Sequence, residues 1–187
     1  MDVRIRPAEI ADLAGIVAVY NHYVLETAAT FEVTAVEPKD KMAWWQEHAN
    51  GGPHRLYVAI GPSGDVEGWA TTSPFRPRAA YRTTVESSVY VRPAAVGHGL
   101  GSRLYATLFG AIRGEDLERI VAGIALPNPA SVALHRRFGF RPVGVFTRVG
   151  RKFDRYWDVA WFERPLRLDP PDPAPPTERP GTVASGG

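Results

Sequence analysis

The sequence predicts an α+β domain in which helices flank one mixed, mostly antiparallel sheet. Runs of β-branched and aromatic residues alternate with stretches whose apolar residues recur at helical spacing. Two strand-like runs, at 55–60 and 66–72, are joined by the hairpin signal Gly-Pro-Ser-Gly-Asp. The chain has 187 residues, of which 44% are hydrophobic and 22% charged, ordinary values for one globular domain. The predicted order of elements is β-α-α-β-β-β-α-β-α-β-β.

The first part of the chain predicts a strand followed by two helices. Residues 3–6 (VRIR) alternate as a short strand, and Pro7 begins a helix with one buried face. That face is formed by Leu13, Ile16, Val17 and Tyr20. Pro38 then occupies the start of a second helix, a favoured place for proline, and the run NGGP at 50–53 ends it.

A strand, a glycine-rich loop and a helix follow one another in the central stretch 84–108. Its first eight residues are rich in β-branched and aromatic types, and Pro93 ends the strand. Three glycines between 97 and 101 let the backbone turn, and leucines at every fourth residue then form one helix face. Backbone N–H groups at the start of a helix commonly bind phosphate, so this stretch predicts a phosphate site.

The last part of the domain predicts three more strands and one helix. Residues 119–126 form an apolar run of buried-strand length, followed by a helix at about 130–138 that Gly139 ends. Two closing strands, at 140–147 and 156–163, enclose a basic segment. From Pro165 the chain is rich in Pro and Gly and poor in large apolar residues, which predicts a disordered tail. The predicted division is a domain at 1–164 and a tail at 165–187.

The composition excludes several classes of function. The chain has no cysteine, which rules out disulfides, thiolate zinc sites and a cysteine nucleophile. A formal net charge of +2 is too small to indicate a nucleic-acid partner, despite a pI of about 9.0. The sequence has neither a signal-peptide core nor a run of about 20 apolar residues that would span a bilayer. We therefore expect a cytoplasmic protein with no metal, no nucleic-acid partner and no membrane partner.

The glycine loop fits neither of two familiar nucleotide-binding motifs. A P-loop needs a lysine after its last glycine, and none follows here. A dinucleotide fingerprint reads G-x-G-x-x-G, whereas this loop reads G-x-G-x-G and follows three antiparallel strands instead of opening a parallel sheet. The glycines alone therefore leave open both a tight turn without a ligand and an unnamed phosphate ligand.

Two stretches resemble motifs of the GNAT superfamily of N-acetyltransferases. VYVRPAAVGHGLGSRL, at 89–104, is similar to the acetyl-CoA-binding motif, which usually reads Q/R-x-x-G-x-G/A after a strand. LPNPASVALHRRFGF, at 126–140, is similar to the downstream motif that begins with an asparagine and ends in Gly-Phe. Val96 departs from the pattern, because a Gln or Arg usually heads the glycine loop. The resemblance implies a GNAT fold that uses acetyl-CoA as the acetyl donor.

A closer resemblance is to the phosphinothricin N-acetyltransferase family, together with its methionine sulfoximine and sulfone acetyltransferases. It rests on NHY at 21–23, SPFRPRAAY at 73–81, VESSVYV at 85–91 and WDV at 157–159. Such a family implies a cytoplasmic detoxification enzyme that acts on a small-molecule amine and forms a homodimer.

Glu86 and His135 are the two candidate catalytic residues. Strand alternation puts Glu86 on the same face as Ser88, where a partly buried carboxylate has a raised pKa and is a better base. The resemblance gives a catalytic role to a glutamate in this context. It also places His135 where the wider superfamily often has a tyrosine general acid, and a histidine can give or take a proton there. The sequence does not decide which of the two is the base and which is the acid.

The resemblance also assigns residues to the two substrates. The cofactor-binding residues would be Val89, Tyr90, Val91, Gly97, His98, Gly99, Leu100, Gly101, Ser102, Arg103, Asn128 and Ser131. The guanidinium groups of Arg76 and Arg78 suit an acceptor with a carboxylate and a second polar head. Phe31 and Tyr81 would pack on the carbon chain of that acceptor.

The sequence therefore predicts acetylation of the free amino group of an amino-acid-like molecule such as phosphinothricin or methionine sulfoximine or sulfone. One alternative is a protein or peptide N-acetyltransferase, which needs an open groove and leaves the paired arginines without a role. The other is a catalytically degenerate CoA-binding module, in which Val96 marks the lost function.

Overall fold

The computed structural model of the chain describes residues 2–48 and 51–166. Within these residues, a seven-stranded sheet and four α-helices form the fold. The strands are β1 (Arg4–Pro7), β2 (Leu56–Ile60), β3 (Val66–Pro74), β4 (Thr84–Val91), β5 (Arg119–Leu126), β6 (Arg141–Lys152) and β7 (Arg155–Pro165). The helices are α1 (Leu13–Glu26), α2 (Met42–Gln46), α3 (Leu100–Ala111) and α4 (Pro129–Arg137). None of these helices is long and apolar enough to cross a membrane. The predicted fold class and element order are confirmed.

The sheet opens between its two central strands. The strand order is β1-β2-β3-β4-β5-β7-β6, and β4 and β5 are the neighbours that run parallel. These two strands pair only from Thr84 to Glu86 of β4, although β4 continues to Val91 and β5 to Leu126. β3 stays paired with β4 as far as Val91. The second half of β4 therefore has one bonded edge and one edge that faces a gap.

Helices cover both faces of the sheet. On one face, α3 buries Leu104, Tyr105 and Leu108, as the leucine spacing predicts. On the other face, α1 packs Ile16 against Trp69 of β3, whose indole N–H donates to the Ile16 carbonyl oxygen at 3.1 Å. Because successive strand residues point to opposite faces, Glu86 of β4 faces the α1 side of the sheet.

Three predicted boundaries are wrong. The second helix was predicted from Pro38 to a stop at 50–53, but Pro38 begins a 3-10 turn that ends at Lys41, and α2 ends at Gln46. Pro7 does not begin a helix, because it still pairs with Tyr57 in the sheet. The chain first makes a 3-10 turn at Ile10–Asp12, and α1 begins at Leu13. The basic segment predicted between the closing strands lies mostly within β6 and β7, which continue to a two-residue turn at 153–154.

Two further predictions fall partly on residues outside the described ranges. Of the predicted tail at 165–187, the described residues include only Pro165 and Leu166. Pro165 pairs with Arg119 at the end of β7. Residues 167–187 lie outside. The same holds for Asn50, the first residue of the predicted helix stop.

Candidate active site

The gap between β4 and β5 forms a cavity of about 430 Å³, which we call the glycine-loop cavity. Its walls come from the end of β4, the loop that precedes α3, the first turn of α3, and α4. Most of the predicted cofactor-binding residues line it, namely Val89, Tyr90, Val91, Gly97, Gly99, Leu100, Gly101, Ser102, Asn128 and Ser131.

The loop before α3 has a backbone shape that glycine adopts readily. Gly97 has a φ of 86° and Gly99 a φ of 76°, both in the left-handed region. Gly99 is the N-cap residue of α3, so the first helical turn, whose N–H groups have no partner within the helix, lines the cavity. At Gly101 a Cβ would come within 3.3 Å of the Leu134 side chain, so a small residue lets α3 approach α4. Unpaired backbone N–H groups at the start of a helix are the kind of donor that binds anions in proteins.

Two of the predicted cofactor-binding residues do not line this cavity. His98 is exposed on the loop, and Arg103 donates from Nη2 to the carbonyl oxygen of Val3 at 2.8 Å. Arg103 thus ties α3 to the start of the chain. Asn128 lines the cavity but also caps α4, because its Oδ1 accepts a hydrogen bond from the Ser131 backbone N–H at 3.0 Å.

His135 lies buried in α4 with both ring nitrogens hydrogen-bonded. Nδ1 is 2.7 Å from the carbonyl oxygen of Ser131, which can only accept, so Nδ1 carries the proton. Nε2 is then an acceptor, and the hydroxyl of Tyr105 donates to it at 3.0 Å. Burial lowers the pKa of His135, which favours the neutral ring.

Tyr105 joins His135 to β4. Its hydroxyl also lies 3.4 Å from the hydroxyl oxygen of Ser87, and all three side chains line the glycine-loop cavity. Burial strongly raises the pKa of Tyr105, so the hydroxyl keeps its proton at neutral pH. The Tyr105 hydroxyl therefore lies in the cavity wall with its proton directed at the neutral imidazole of His135.

A second cavity, of about 360 Å³, lies on the α1 side of the sheet, and we call it the Glu86 cavity. Glu86 of β4 and Phe31 of the loop after α1 both line it, so the fold brings the predicted base and one predicted acceptor residue together. Its other walls include Thr30 from the same loop and, from the closing hairpin, Phe146, Val149, Val159 and Trp161.

Burial and a nearby cation act in opposite directions on the pKa of Glu86. Burial raises its pKa, and the positive charge of Arg76 opposes that rise. The Arg76 guanidinium stacks on the rings of Phe75 and Trp161, with distances of 4.3 Å and 5.8 Å to the ring centroids. Because Trp161 lines the Glu86 cavity, Arg76 lies close to its wall.

The other two predicted acceptor residues lie on the outer part of the same loop. Arg78 and Tyr81 are exposed and line neither cavity. Arg78 directly precedes the 3-10 turn Ala79–Tyr81, and the Tyr81 ring packs edge-on against Phe75 with 5.6 Å between centroids. Of the two predicted arginines, Arg76 is the one whose charge acts on Glu86.

The two cavities meet at small residues. Ala29, Gly123 and Ala125 belong to the walls of both. Gly123 and Ala125 lie in β5 beyond the point where it separates from β4. The glycine-loop cavity and the Glu86 cavity therefore share part of one wall.

Three wall residues carry no sequence signal that predicts their place. Tyr105 follows Leu104 on the apolar face of α3, so helical spacing alone assigns it to the core. Trp161 alternates with Val159 in β7, a pattern that fits a buried strand as well as a pocket wall. Thr30 lies in an irregular loop, where no periodicity applies.

Comparison with known proteins shows the class of protein to which this fold belongs. The family model described as "Acetyltransferase (GNAT) domain" matches residues 5–161. The chain belongs to this family and is an N-acetyltransferase.

Individual relatives and solved structures show which acetyltransferases the chain is similar to. The chain is 52% identical over 166 residues to a phosphinothricin N-acetyltransferase of Streptomyces coelicolor, covering 88% of this chain and 97% of that protein. It is 41% identical over 175 residues to an L-methionine sulfoximine/L-methionine sulfone acetyltransferase of Pseudomonas aeruginosa, covering 94% and 100%. A solved phosphinothricin acetyltransferase of Sinorhizobium meliloti in complex with acetyl-CoA matches at a TM-score of 0.82, with 37% identity over 89% of each chain. A putative acetyltransferase of Salmonella typhimurium with its cofactor acetyl-CoA matches at 0.84, with 35% identity over 93% of this chain and 99% of the other.

Proposed function

We propose that this protein transfers the acetyl group of acetyl-CoA to the free amino group of a small amino-acid-like acceptor. Phosphinothricin and methionine sulfoximine or sulfone are the leading candidates, since relatives of this chain carry those substrates in their names. The observation that carries the proposal is the junction of the two cavities at Ala29, Gly123 and Ala125. It joins a site suited to a phosphate-bearing donor with a site suited to an amine.

The glycine-loop cavity fits the CoA part of the donor. The first turn of α3 and the left-handed Gly97 and Gly99 offer backbone N–H groups to a pyrophosphate. The edge of β4 beyond Glu86, where pairing with β5 has stopped, offers backbone groups to the amides of a pantetheine arm. Asn128 uses Oδ1 to cap α4, which leaves its Nδ2 for a ligand.

The Glu86 cavity fits a molecule the size of an amino acid. Its volume of about 360 Å³ lies at the lower end of the range for small-molecule sites. Phe31 and Trp161 supply apolar surface for a carbon chain. The guanidinium of Arg76, close to this wall, suits the acceptor's carboxylate.

Acetyl-CoA supplies a thioester carbon that is open to attack. As the amine nitrogen bonds to this carbon, the carbon–sulfur bond breaks, the amine loses a proton and the sulfur leaves as a thiolate. Glu86 takes the amine proton, and its raised pKa makes it a stronger base than an exposed glutamate.

At rest the single O–H proton of Tyr105 donates to Nε2 of His135, so Tyr105 stabilises the departing sulfur by turning this O–H from the imidazole toward the cavity. Full proton transfer from its hydroxyl is unfavourable, because burial raises its pKa far above that of a thiol. His135 holds the hydroxyl in place, and in its resting tautomer Nε2 has no proton to give. We therefore assign the base to Glu86 and a positioning role to His135, which leaves the thiolate to take up a proton from water.

We also propose that the enzyme works as a homodimer through β6. This strand forms one edge of the sheet and exposes Val143, Val145, Phe146 and Val149. An exposed apolar sheet edge readily pairs with another chain. Sedimentation equilibrium should give the wild-type protein twice the chain mass of 20.5 kDa and the Val145→Asp variant the chain mass itself. A monomeric wild type contradicts this part of the proposal.

A substrate panel tests the proposed activity. Acetyl-CoA is offered with phosphinothricin, methionine sulfoximine, methionine sulfone, the ordinary amino acids and a short peptide. Free thiol is followed over time, and the acetylated product is identified by its added mass. We expect thiol release with at least one of the three leading acceptors and slow or no release with the peptide.

The other results each point to a different function. Release with the peptide alone indicates a protein N-acetyltransferase. Binding of acetyl-CoA without thiol release for any acceptor indicates a CoA-binding module. Either result overturns the proposal.

A further inference from the structure

The tip of the β6–β7 hairpin is bent toward the loop that follows α1. The register of β6 on β7 shifts between Phe146 and Gly150, and Arg148 in this bulge has a φ of 54°. Bulges of this kind bend a strand and redirect its side chains. The turn is made by Phe153 and Asp154, with φ values of 52° and 56°, so Lys152 ends β6 directly before it.

At Gly150 the loop that follows α1 packs directly against the backbone of the hairpin. A Cβ at position 150 would overlap the ring of Phe31, so the ring lies where any other side chain would be. Phe31 also lines the Glu86 cavity. The hairpin tip therefore supports Phe31, which forms part of the wall of the Glu86 cavity.

Lys152 holds the same loop by its ammonium group. The residue is only 4% exposed. Nζ donates to the carbonyl oxygen of Thr30 at 2.8 Å and to that of Tyr23 at 3.4 Å. Tyr23 lies in the last turn of α1, where the helix dipole makes the carbonyls favourable partners for a cation.

The position of Thr30 is fixed from two sides. Lys152 holds its carbonyl oxygen, and the hydroxyl of Tyr20 on α1 lies 2.7 Å from its Oγ1. Thr30 and Phe31 both line the Glu86 cavity. Removing the ammonium releases the backbone at Thr30, and the adjacent Phe31 then loses its fixed place above Gly150.

Burying the Lys152 ammonium group costs desolvation free energy. Burial lowers the pKa of Lys152, and the charge of Glu32 on the same loop partly offsets that effect. A methionine would occupy a similar volume without the desolvation cost. The charge is therefore explained by the two carbonyl groups that it brings together.

We infer that Lys152 is a positioning residue for the acceptor, because its ammonium group holds Thr30 and Phe31 in the wall of the Glu86 cavity. The inference rests on the proposed acetylation of a small acceptor in that cavity. It requires that affinity for the acceptor depend on the charge at 152 and not on side-chain bulk alone.

The chain offers a sharp test because it has no cysteine. Lys152→Cys is alkylated with 2-bromoethylamine in the unfolded state and refolded, which forms a carbon–sulfur bond, releases bromide and restores an ammonium at nearly the original distance. The wild type, carried through the same cycle, is the control for refolding. Arg151→Met is the matched substitution, since the neighbouring Arg151 is exposed and contacts Asp154 of the turn.

We expect Lys152→Met and unmodified Lys152→Cys to raise the KM for the acceptor about tenfold, the scale of one lost hydrogen bond from a charged group. The KM for acetyl-CoA should stay unchanged and kcat should change less than the acceptor KM. Aminoethylation should restore the acceptor KM, and Arg151→Met should leave it unchanged. Without any assay of activity, chymotrypsin should cut after Phe31 faster in Lys152→Met than in the wild type.

The results separate this inference from the function on which it rests. A wild-type enzyme that acetylates no small acceptor overturns the proposed function, and the chymotrypsin result then still tests the loop contact. An active wild type whose Lys152 variants keep the acceptor KM, or are not rescued by aminoethylation, overturns the inference. Variants that no longer bind acetyl-CoA overturn it too, because Lys152 then serves the fold as a whole.

Discussion

The hydroxyl oxygen of Tyr105 lies 3.0 Å from Nε2 of His135, and both side chains are buried in the wall of the glycine-loop cavity. Since Nδ1 of His135 donates to the Ser131 carbonyl oxygen, Tyr105 must donate in this contact. The histidine therefore fixes the direction of a tyrosine O–H group beside the cavity. His135 is predicted from the sequence to be catalytic. In the structure it lies on α4 and acts through Tyr105, which lies on α3.

Replacing Tyr105 by Phe removes that O–H group and keeps the ring. We expect kcat to fall about tenfold and the free energy of unfolding to fall by about 1 kcal/mol, the usual scale of one hydrogen bond. The KM for the acceptor should change little, since Tyr105 does not line the Glu86 cavity. Steady-state kinetics and thermal unfolding check this, with the exposed Tyr156→Phe as control. An unchanged kcat would contradict the role given to the hydroxyl.

Replacing Glu86 by Gln should separate activity from stability. Turnover should fall about a hundredfold or more, as for loss of a general base, while acetyl-CoA still binds. Burial raises the pKa of Glu86, so its protonated form favours the folded state and this contribution is lost as pH rises through the folded pKa. The ionised carboxylate therefore costs stability at neutral pH, and the glutamine removes that cost.

Calorimetry at several pH values measures the stability effect. Glu86→Gln should have a higher Tm than the wild type at pH 8, and the difference should shrink toward pH 4, where the wild-type carboxyl becomes protonated. Glu163→Gln, in the surface contact with Arg141, is the matched control and should show no such gain. A Tm advantage that is equal at both pH values would exclude ionisation of Glu86 as its cause.

Local pattern predicted most of the fold but only part of the site. The strand at 119–126 was predicted to the residue, because a buried apolar run bounded by Pro127 has few other readings. The faces of β4 followed from alternation, which put Glu86 with Ser88. Neither the contact of Tyr105 with His135 nor that of Lys152 with Thr30 follows from any pattern, because each joins residues 30 or more apart through tertiary packing.

The two arginines predicted to bind the acceptor should differ in their effect on pH dependence. The positive charge of Arg76 lowers the pKa of Glu86, so Arg76→Gln should raise that pKa further and move the acidic limb of kcat/KM to higher pH. It should also raise the KM for an acceptor that carries a carboxylate. Arg78→Gln, the matched substitution in the same exposed loop, should leave the acidic limb in place. Equal shifts from both variants would show that the loop acts through its total charge.

Val96 is where the glycine loop departs from the usual pattern, and restoring a cation there should tighten binding of acetyl-CoA. The side chain lines the glycine-loop cavity yet is 51% exposed, so an arginine can reach a phosphate without being buried. We expect Val96→Arg to lower the KM for acetyl-CoA a few-fold, with kcat and the acceptor KM little changed, because a solvated charge pair contributes modestly. The gain should fade as salt is added, since screening weakens such a pair. Ile10→Arg adds the same charge at a similarly exposed site that lines neither cavity, and it should change neither KM. If Val96→Arg gives no gain even at low salt, the backbone amides of the loop already satisfy the pyrophosphate, and the valine at this position costs the enzyme nothing.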